Sequence, residues 1–222
     1  MKINKYCTKE FDKEFSQIKG IKYLPWVGID SQKKIEKILI VGESVYNWEK
    51  DVVARKNAQE KLEQNNFARI VVFEHGIENP SLKRKFARNI EKTLSNKFES
   101  ETERIEFWKN ICFHELVQRP LKNRKERPTE IDYLNGGKVL TSIIEILQPK
   151  KCIFLGTTWS KFINLKKSLK KFYSINVTHY AKINNGAPKT IFIKELNTMI
   201  YFIKHPSTAY SPEVWKNFIK NN

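Results

Sequence analysis

The feature that most constrains the fold is a pair of short apolar runs that each stop at a glycine. Lys37–Val41 (KILIV) leads into Gly42, and Lys151–Leu155 (KCIFL) leads into Gly156. Such runs, apolar without alternation, describe strands covered on both faces, as in a parallel sheet packed between helices. Arg69–Glu74 (RIVVFE) and Asn110–Phe113 (NICF) predict two further strands. Thr190–Lys194 and Met199–Lys204 flank Glu195–Thr198, which reads as a hairpin turn with Asn197 at its tip.

Helix signals fill the gaps. Glu101–Lys109 predicts a helix leading into the NICF strand. Thr129 and Asp132 form a capping-box pattern after Pro128, Leu140, Ile143, Ile144 and Leu147 recur at helical spacing, and Pro149 stops the run. Trp159–Phe172 places Phe162, Leu165 and Leu169 on one side and Lys161, Lys166, Lys167, Lys170 and Lys171 on a solvated basic face. Pro212 opens a last helix with Val214, Trp215, Phe218 and Ile219. Strands alternating with helices predict an α/β fold, a three-layer α/β/α sandwich around a central, mostly parallel sheet. At 222 residues, 40% hydrophobic and 12% aromatic, the chain is expected to form a single domain over residues 1–222, with 1–36 an N-terminal extension packed on it. Trp26 is expected to pack against a sheet edge.

Lys and Arg number 41 against 24 Asp and Glu, a formal net charge of +17. A lysine-rich composition explains Lys over Arg, but not the shortage of balancing acids, so the charge predicts a polyanionic partner such as DNA, single- or double-stranded. The most basic loop-like stretch is Leu121–Pro128 (LKNRKERP), where Arg124, Lys125 and Arg127 join the nearby Arg119 as candidate phosphate contacts. No apolar run has the roughly 20 residues of a membrane span. Cys7, Cys112 and Cys152 lack CxxC spacing and read as buried free thiols, which predicts a cytoplasmic protein. No pair of ligands has metal-site spacing, so neither metal nor cofactor is expected, and the chain is read as a monomer. His75 and His179 read as structural or surface residues.

In a parallel sheet the residues just beyond the strands converge on one crevice. Here they are Gly42-Glu43-Ser44-Val45-Tyr46, then His114-Glu115 after Phe113, then His205-Pro206-Ser207-Thr208. Taken singly, each has an ordinary structural use. Taken together, they bring carboxylates, imidazoles, hydroxyls and a phenol to corresponding strand ends.

This set resembles the signature of the uracil-DNA glycosylase superfamily. Gly42-Glu43 and Tyr46 resemble that family's first motif, of the type Gly-Glu-Ala-Pro-Gly or Gly-Gln-Asp-Pro-Tyr. His205-Pro206-Ser207 resembles its closing His-Pro-Ser. Between them, His114-Glu115-Leu116-Val117-Gln118-Arg119-Pro120, then Asn123-Arg124 and Pro128, is similar to the Thr-Asn-Val-Val-Lys-Cys-Arg-Pro stretch of the iron–sulfur branch. The likeness spans roughly residues 37–215. It departs from the family where the cluster cysteines are absent, where Ser44 replaces an Asp, and where Glu115 replaces the base-reading Asn.

The resemblance implies a DNA glycosylase that hydrolyses the N-glycosidic bond of a deaminated or modified base flipped out of DNA. Glu43 would stabilise the cationic sugar and orient water, and His205 would donate to the departing base. Tyr46 and Phe113 would wall the pocket, with His114 and Glu115 near the base. Ser44 and Ser207 would contact phosphates or cap helices. A carboxylate at Glu115 only accepts hydrogen bonds, which predicts a preference for an amino-bearing base. The competing readings are an inactive binding module on the same fold and a small-molecule nucleotide enzyme, the latter disfavoured by the charge.

Overall fold

The computed structural model describes residues 2–47, 49, 52–78, 85–95, 100–123 and 125–222. Its strands are β1 (Trp26–Val27), β2 (Ile38–Gly42), β3 (Cys112–Glu115), β4 (Lys151–Leu155), β5 (Ile175–His179), β6 (Lys189–Ile193) and β7 (Thr198–Ile203). They form one seven-stranded sheet in the order β1-β3-β2-β4-β7-β6-β5. The centre, β3-β2-β4-β7, is parallel, and β1, β6 and β5 are antiparallel additions at its sides. All four central strands therefore end at the same edge of the sheet.

The helices are α1 (Asp12–Ser16), α2 (Val52–Leu62), α3 (Phe67–Val72), α4 (Lys85–Leu94), α5 (Glu101–Lys109), α6 (Glu130–Leu147), α7 (Trp159–Leu169) and α8 (Pro212–Asn221). Alternate strand residues face two separate cores, as the pleat requires. Ile40, Phe113, Ile153 and Tyr201 pack with Trp108 of α5, Ile90 of α4 and Trp215 of α8. Leu39, Val41, Cys112, Phe154 and Phe202 pack with Leu140, Ile143 and Ile144 of α6 and Phe162 and Leu165 of α7. The result is the three-layer α/β/α arrangement expected from the alternating pattern.

Several local signals act as read. Thr129 and Asp132 form a reciprocal capping box at the start of α6, which ends at Gln148 in a left-handed conformation just before Pro149. Asn197 takes a positive φ of 49° in the β6–β7 hairpin. Cys7, Cys112 and Cys152 are buried free thiols. Trp26 is fully buried at the β1 edge, and its indole Nε1 donates to Trp108 O at 2.9 Å. Phe15 and Tyr23 are buried too, so the N-terminal segment contributes to both cores.

Two expectations are corrected. Arg69–Glu74 is not a strand: it lies in α3 and the π-helical turn Phe73–Glu78 that extends it. Its buried residues Ala68, Arg69, Val72, Phe73, Gly76 and Ile77 recur at helical spacing, and Arg69 is held by Asp12 and by Pro25 O. Lys161 does not belong to a solvated face. It is buried on the inner side of α7, in register with Leu165 and Leu169. Among the described residues, no helix is long and apolar enough to cross a membrane.

Candidate active site

The shared edge of the four parallel strands assembles the site. The chain leaving β2 at Gly42 and the chain leaving β3 at Glu115 run side by side. Leu116 N donates to Gly42 O (3.1 Å), Val117 N to Glu43 O (2.9 Å) and Leu121 N to Val45 O (2.9 Å). β4 is tied to β7 beyond their last pair by Gly156 N donating to Ile203 O at 2.7 Å. Glu43, Glu115, the first turn of α7 and His205 are thereby fixed to one rigid frame.

Glu43 is the centre of the charge cluster. Tyr133 of α6 donates its hydroxyl to Glu43 Oε1 at 2.8 Å, and the Lys161 ammonium reaches the same oxygen at 2.8 Å. Both contacts are made to Oε1, and 22% of the Glu43 side chain reaches solvent. Burial alone would push this carboxyl up, but the charge and hydrogen bond of Lys161, with the Tyr133 hydroxyl, hold it below its ordinary value. Glu43 is therefore ionised at neutral pH.

Lys161 is the site residue that strand-end reasoning missed. Only 3% of its side chain is exposed. Its Nζ also donates to Leu155 O at 3.3 Å, the last carbonyl of β4. Gly156 makes room for it, since a Cβ there would collide with Nζ, and its φ of 130° independently favours glycine. The readable signal was a lysine in register with the buried leucines of its own helix.

His205 follows β7 in a turn closed by Thr208 N and Oγ1, both donating to His205 O. Asn89 of α4 donates to Pro206 O at 2.7 Å and pins the turn from the other side. The His205 Nδ1 accepts the Ser207 N–H at 3.3 Å, so in the neutral ring Nε2 carries the proton. Burial, and then the Lys161 charge, press His205 down to about 4, against the opposing pull of Glu43. The two residues are close enough for each charge to act on the other.

Glu115 lies on the same sheet face as Phe113 and beside Gly42 in register. It is 6% exposed, and its Oε2 is buried without a hydrogen-bond partner. A Cβ on Gly42 would overlap this carboxyl, so the glycine is what lets Glu115 occupy the strand end. Burial, reinforced by Glu43, pushes Glu115 up to about 8, against the pull of Lys161. At neutral pH it is mostly a neutral acid, with an O–H donor as well as an acceptor, so the acceptor-only premise drawn from sequence is replaced.

Other expected site residues are placed differently. His114 alternates to the opposite face from Glu115, is fully buried, and has its Nε2 beside Gln118 Nε2 at 3.2 Å. That burial depresses it to about 3 and removes it from the crevice. Phe113 is fully buried and covered edge-on by Phe86 at 6.3 Å. Phe86 itself, half-buried and 5.7 Å from the His205 ring, is the aromatic next to the site. Tyr46 is half-buried and bridges to Leu121, Ser44 is half-buried, and Ser207 is exposed.

Arg119 is engaged internally, by two hydrogen bonds to Asp132 (2.8 and 2.7 Å) and one to Glu126 (2.8 Å). It therefore braces the loop before α6 rather than offering a free guanidinium. Lys125 and Arg127 are exposed, and Arg127 lies close enough to act on Tyr133. Arg124 lies outside the described residues.

Two cavities bear on ligand binding. A small one of about 10 Å³ behind Phe86 and Phe113 has room for about a water molecule. A larger one of about 370 Å³ is lined by residues of the N-terminal segment, Asn65, Asn66 and Arg69, and by none of the candidate site residues. No group of three or more His, Cys, Asp or Glu suited to a metal ion occurs among the described residues. In comparisons with known proteins, no family model and no curated protein matches this chain.

Proposed function

We propose that this chain hydrolyses the N-glycosidic bond of a base flipped out of DNA. The observation that carries this reading is the single frame holding an ionised carboxylate, Glu43, and a neutral imidazole, His205, at the ends of two parallel strands. Glycosidic cleavage builds positive charge on the sugar and negative charge on the departing base. Glu43 supplies the countercharge for the first and, being partly exposed, an acceptor for the attacking water. The Nε2–H of His205 supplies a donor for the second. The +17 charge favours a polyanionic substrate over a free nucleoside.

Glu115 is the base-reading group in this proposal. As a neutral acid it matches either an oxo or an amino edge, and once ionised it suits only a donor edge. Glu115→Asn, assayed over deaminated and amino-bearing bases, tests this, and an unchanged preference would discard it.

The decisive experiment is release of base from oligonucleotides bearing a panel of modified bases, read as abasic-site cleavage. Glu43→Gln should bind DNA as the wild type does and lose about 10²- to 10⁴-fold in rate. The +17 charge fits a second reading equally well, a module that binds DNA without cutting. Wild-type protein that binds but releases no base from any panel member would select it.

A further inference from the structure

We propose that Trp159 and His179 form a stacking platform for an unpaired nucleobase, so that the rim of the sheet beside β5 binds single-stranded nucleic acid. Trp159 opens α7 just after the end of β4, and 60% of its surface faces solvent. His179, exposed at the end of β5, stacks on it at 6.4 Å and 27°. Both rings rest on Phe162, at 5.4 Å each, and Phe162 is fully buried against Phe202 at 5.5 Å. The exposed indole is thus braced from beneath by the core. A braced ring loses little freedom when another ring stacks on it, so the contact is preorganised.

The surroundings identify the ligand. The Lys166 and Lys189 ammonium groups lie 5.7 and 5.5 Å from the Phe162 ring centre. Lys189 is buried and spent internally on Thr157 O and Ala187 O at 3.1 and 2.8 Å, so of the two it is Lys166, half-buried, that reaches solvent. An exposed indole, with Lys166 beside the ring that supports it and a net charge of +17 on the chain, complements a polymer of π-faces and phosphates. In a duplex the base faces are already stacked, so the platform favours an unpaired strand. An apolar peptide would use the ring but not the positive charge of the chain. The platform lies at the carboxyl edge that also carries Lys161 and His205, and its occupancy does not depend on whether any bond is cut.

The test is the binding of fluorescein-labelled oligo(dT), and of a labelled duplex of equal length, to the full chain over a range of salt. Trp159→Ala should weaken oligo(dT) binding by about 5- to 100-fold, with a smaller effect on the duplex and an unchanged salt slope, because stacking and not charge is removed. Trp159→Phe should retain most of the affinity. The side chain is largely exposed, so both variants should melt close to the wild type. Wild-type affinity for oligo(dT) in Trp159→Ala, or an equal loss on strand and duplex, would overturn the proposal. No base release enters the assay, so its outcome is separate from that of the glycosylase reading.

Discussion

Lys161 Nζ meets Glu43 Oε1 at 2.8 Å, although only 3% of the lysine side chain reaches solvent. A buried ammonium is tolerated only when paired, and here its partners are the one carboxylate and the carbonyl of Leu155. The same charge lowers both Glu43 and His205: it holds the first ionised and adds to the burial that chiefly keeps the second neutral. Lys161→Met should therefore raise the pKa of both, moving His205 from about 4 toward its ordinary 6.5. NMR titration of the His205 ring measures this without any activity, and an unmoved titration would refute it. Stability should fall by about 3 kcal/mol, because one member of a buried pair is left alone. Adding Glu43→Gln should recover part of that loss, since the two sites are coupled.

Glu115 sets the alkaline side of the stability profile. Above pH 4.5 an unfolded chain has released this proton, while the folded chain keeps it to about pH 8, so stability falls as pH rises through that interval. His114 and His205 act oppositely. Held down to about 3 and 4, they exclude protons that the unfolded chain binds below 6.5, so they favour folding increasingly up to that pH. Below 6.5 the two histidines outweigh the one glutamate, and above it only the decline remains. Thermal melts should peak near pH 6.5, and Glu115→Gln should flatten the profile from there to pH 8. Parallel wild-type and variant curves would contradict this.

How legible these features were in the sequence depended on the element. The runs ending at Gly42 and Gly156 announce strands because both faces are apolar and the stop is abrupt. Arg69–Glu74 carries equally β-prone residues, and six residues cannot separate a strand from a buried helical turn by periodicity alone. Extending the window to Gly76 and Ile77 exposes the helical stripe. β5 (Ile175–His179) was hidden because an edge strand need bury little, and β1 is two residues long. Glu43, Glu115 and His205 were legible because parallel strands share an edge. His114 could have been set aside from sequence, since adjacent strand residues face opposite ways. Lys161 could have been set on the buried side of α7 from its spacing to Leu165 and Leu169, but its pairing with Glu43 depends on the fold.

The basic loop before α6 should divide into two kinds of residue. Arg119 ties Asp132 and Glu126, so Arg119→Ala should lower the melting temperature by about 2–4 °C, the equivalent of roughly 1 kcal/mol for a half-exposed pair. Its DNA affinity, measured on folded protein, should keep the wild-type salt dependence. Lys125→Ala and Arg127→Ala, at exposed positions, should leave the melt in place and each reduce the slope of log K against log salt by about 0.9 on duplex DNA. A slope change in Arg119→Ala with none in the other two would reverse the assignment.

The two glycines at the site should respond differently to rescue. At Gly42 the obstacle to a side chain is space, because a Cβ would overlap the Glu115 carboxyl. Gly42→Ala should destabilise by about 1–3 kcal/mol through overpacking. Combining it with Glu115→Ala should restore most of that stability, because the obstructing atoms are gone. At Gly156 a Cβ would strike Lys161, but the φ of 130° is also unfavourable for any L side chain. Gly156→Ala should therefore remain destabilised when combined with Lys161→Ala. Denaturant melts of the four variants separate the cases: rescue at position 42 without rescue at 156 is expected, and equal rescue at both would mean that space alone governs the second glycine.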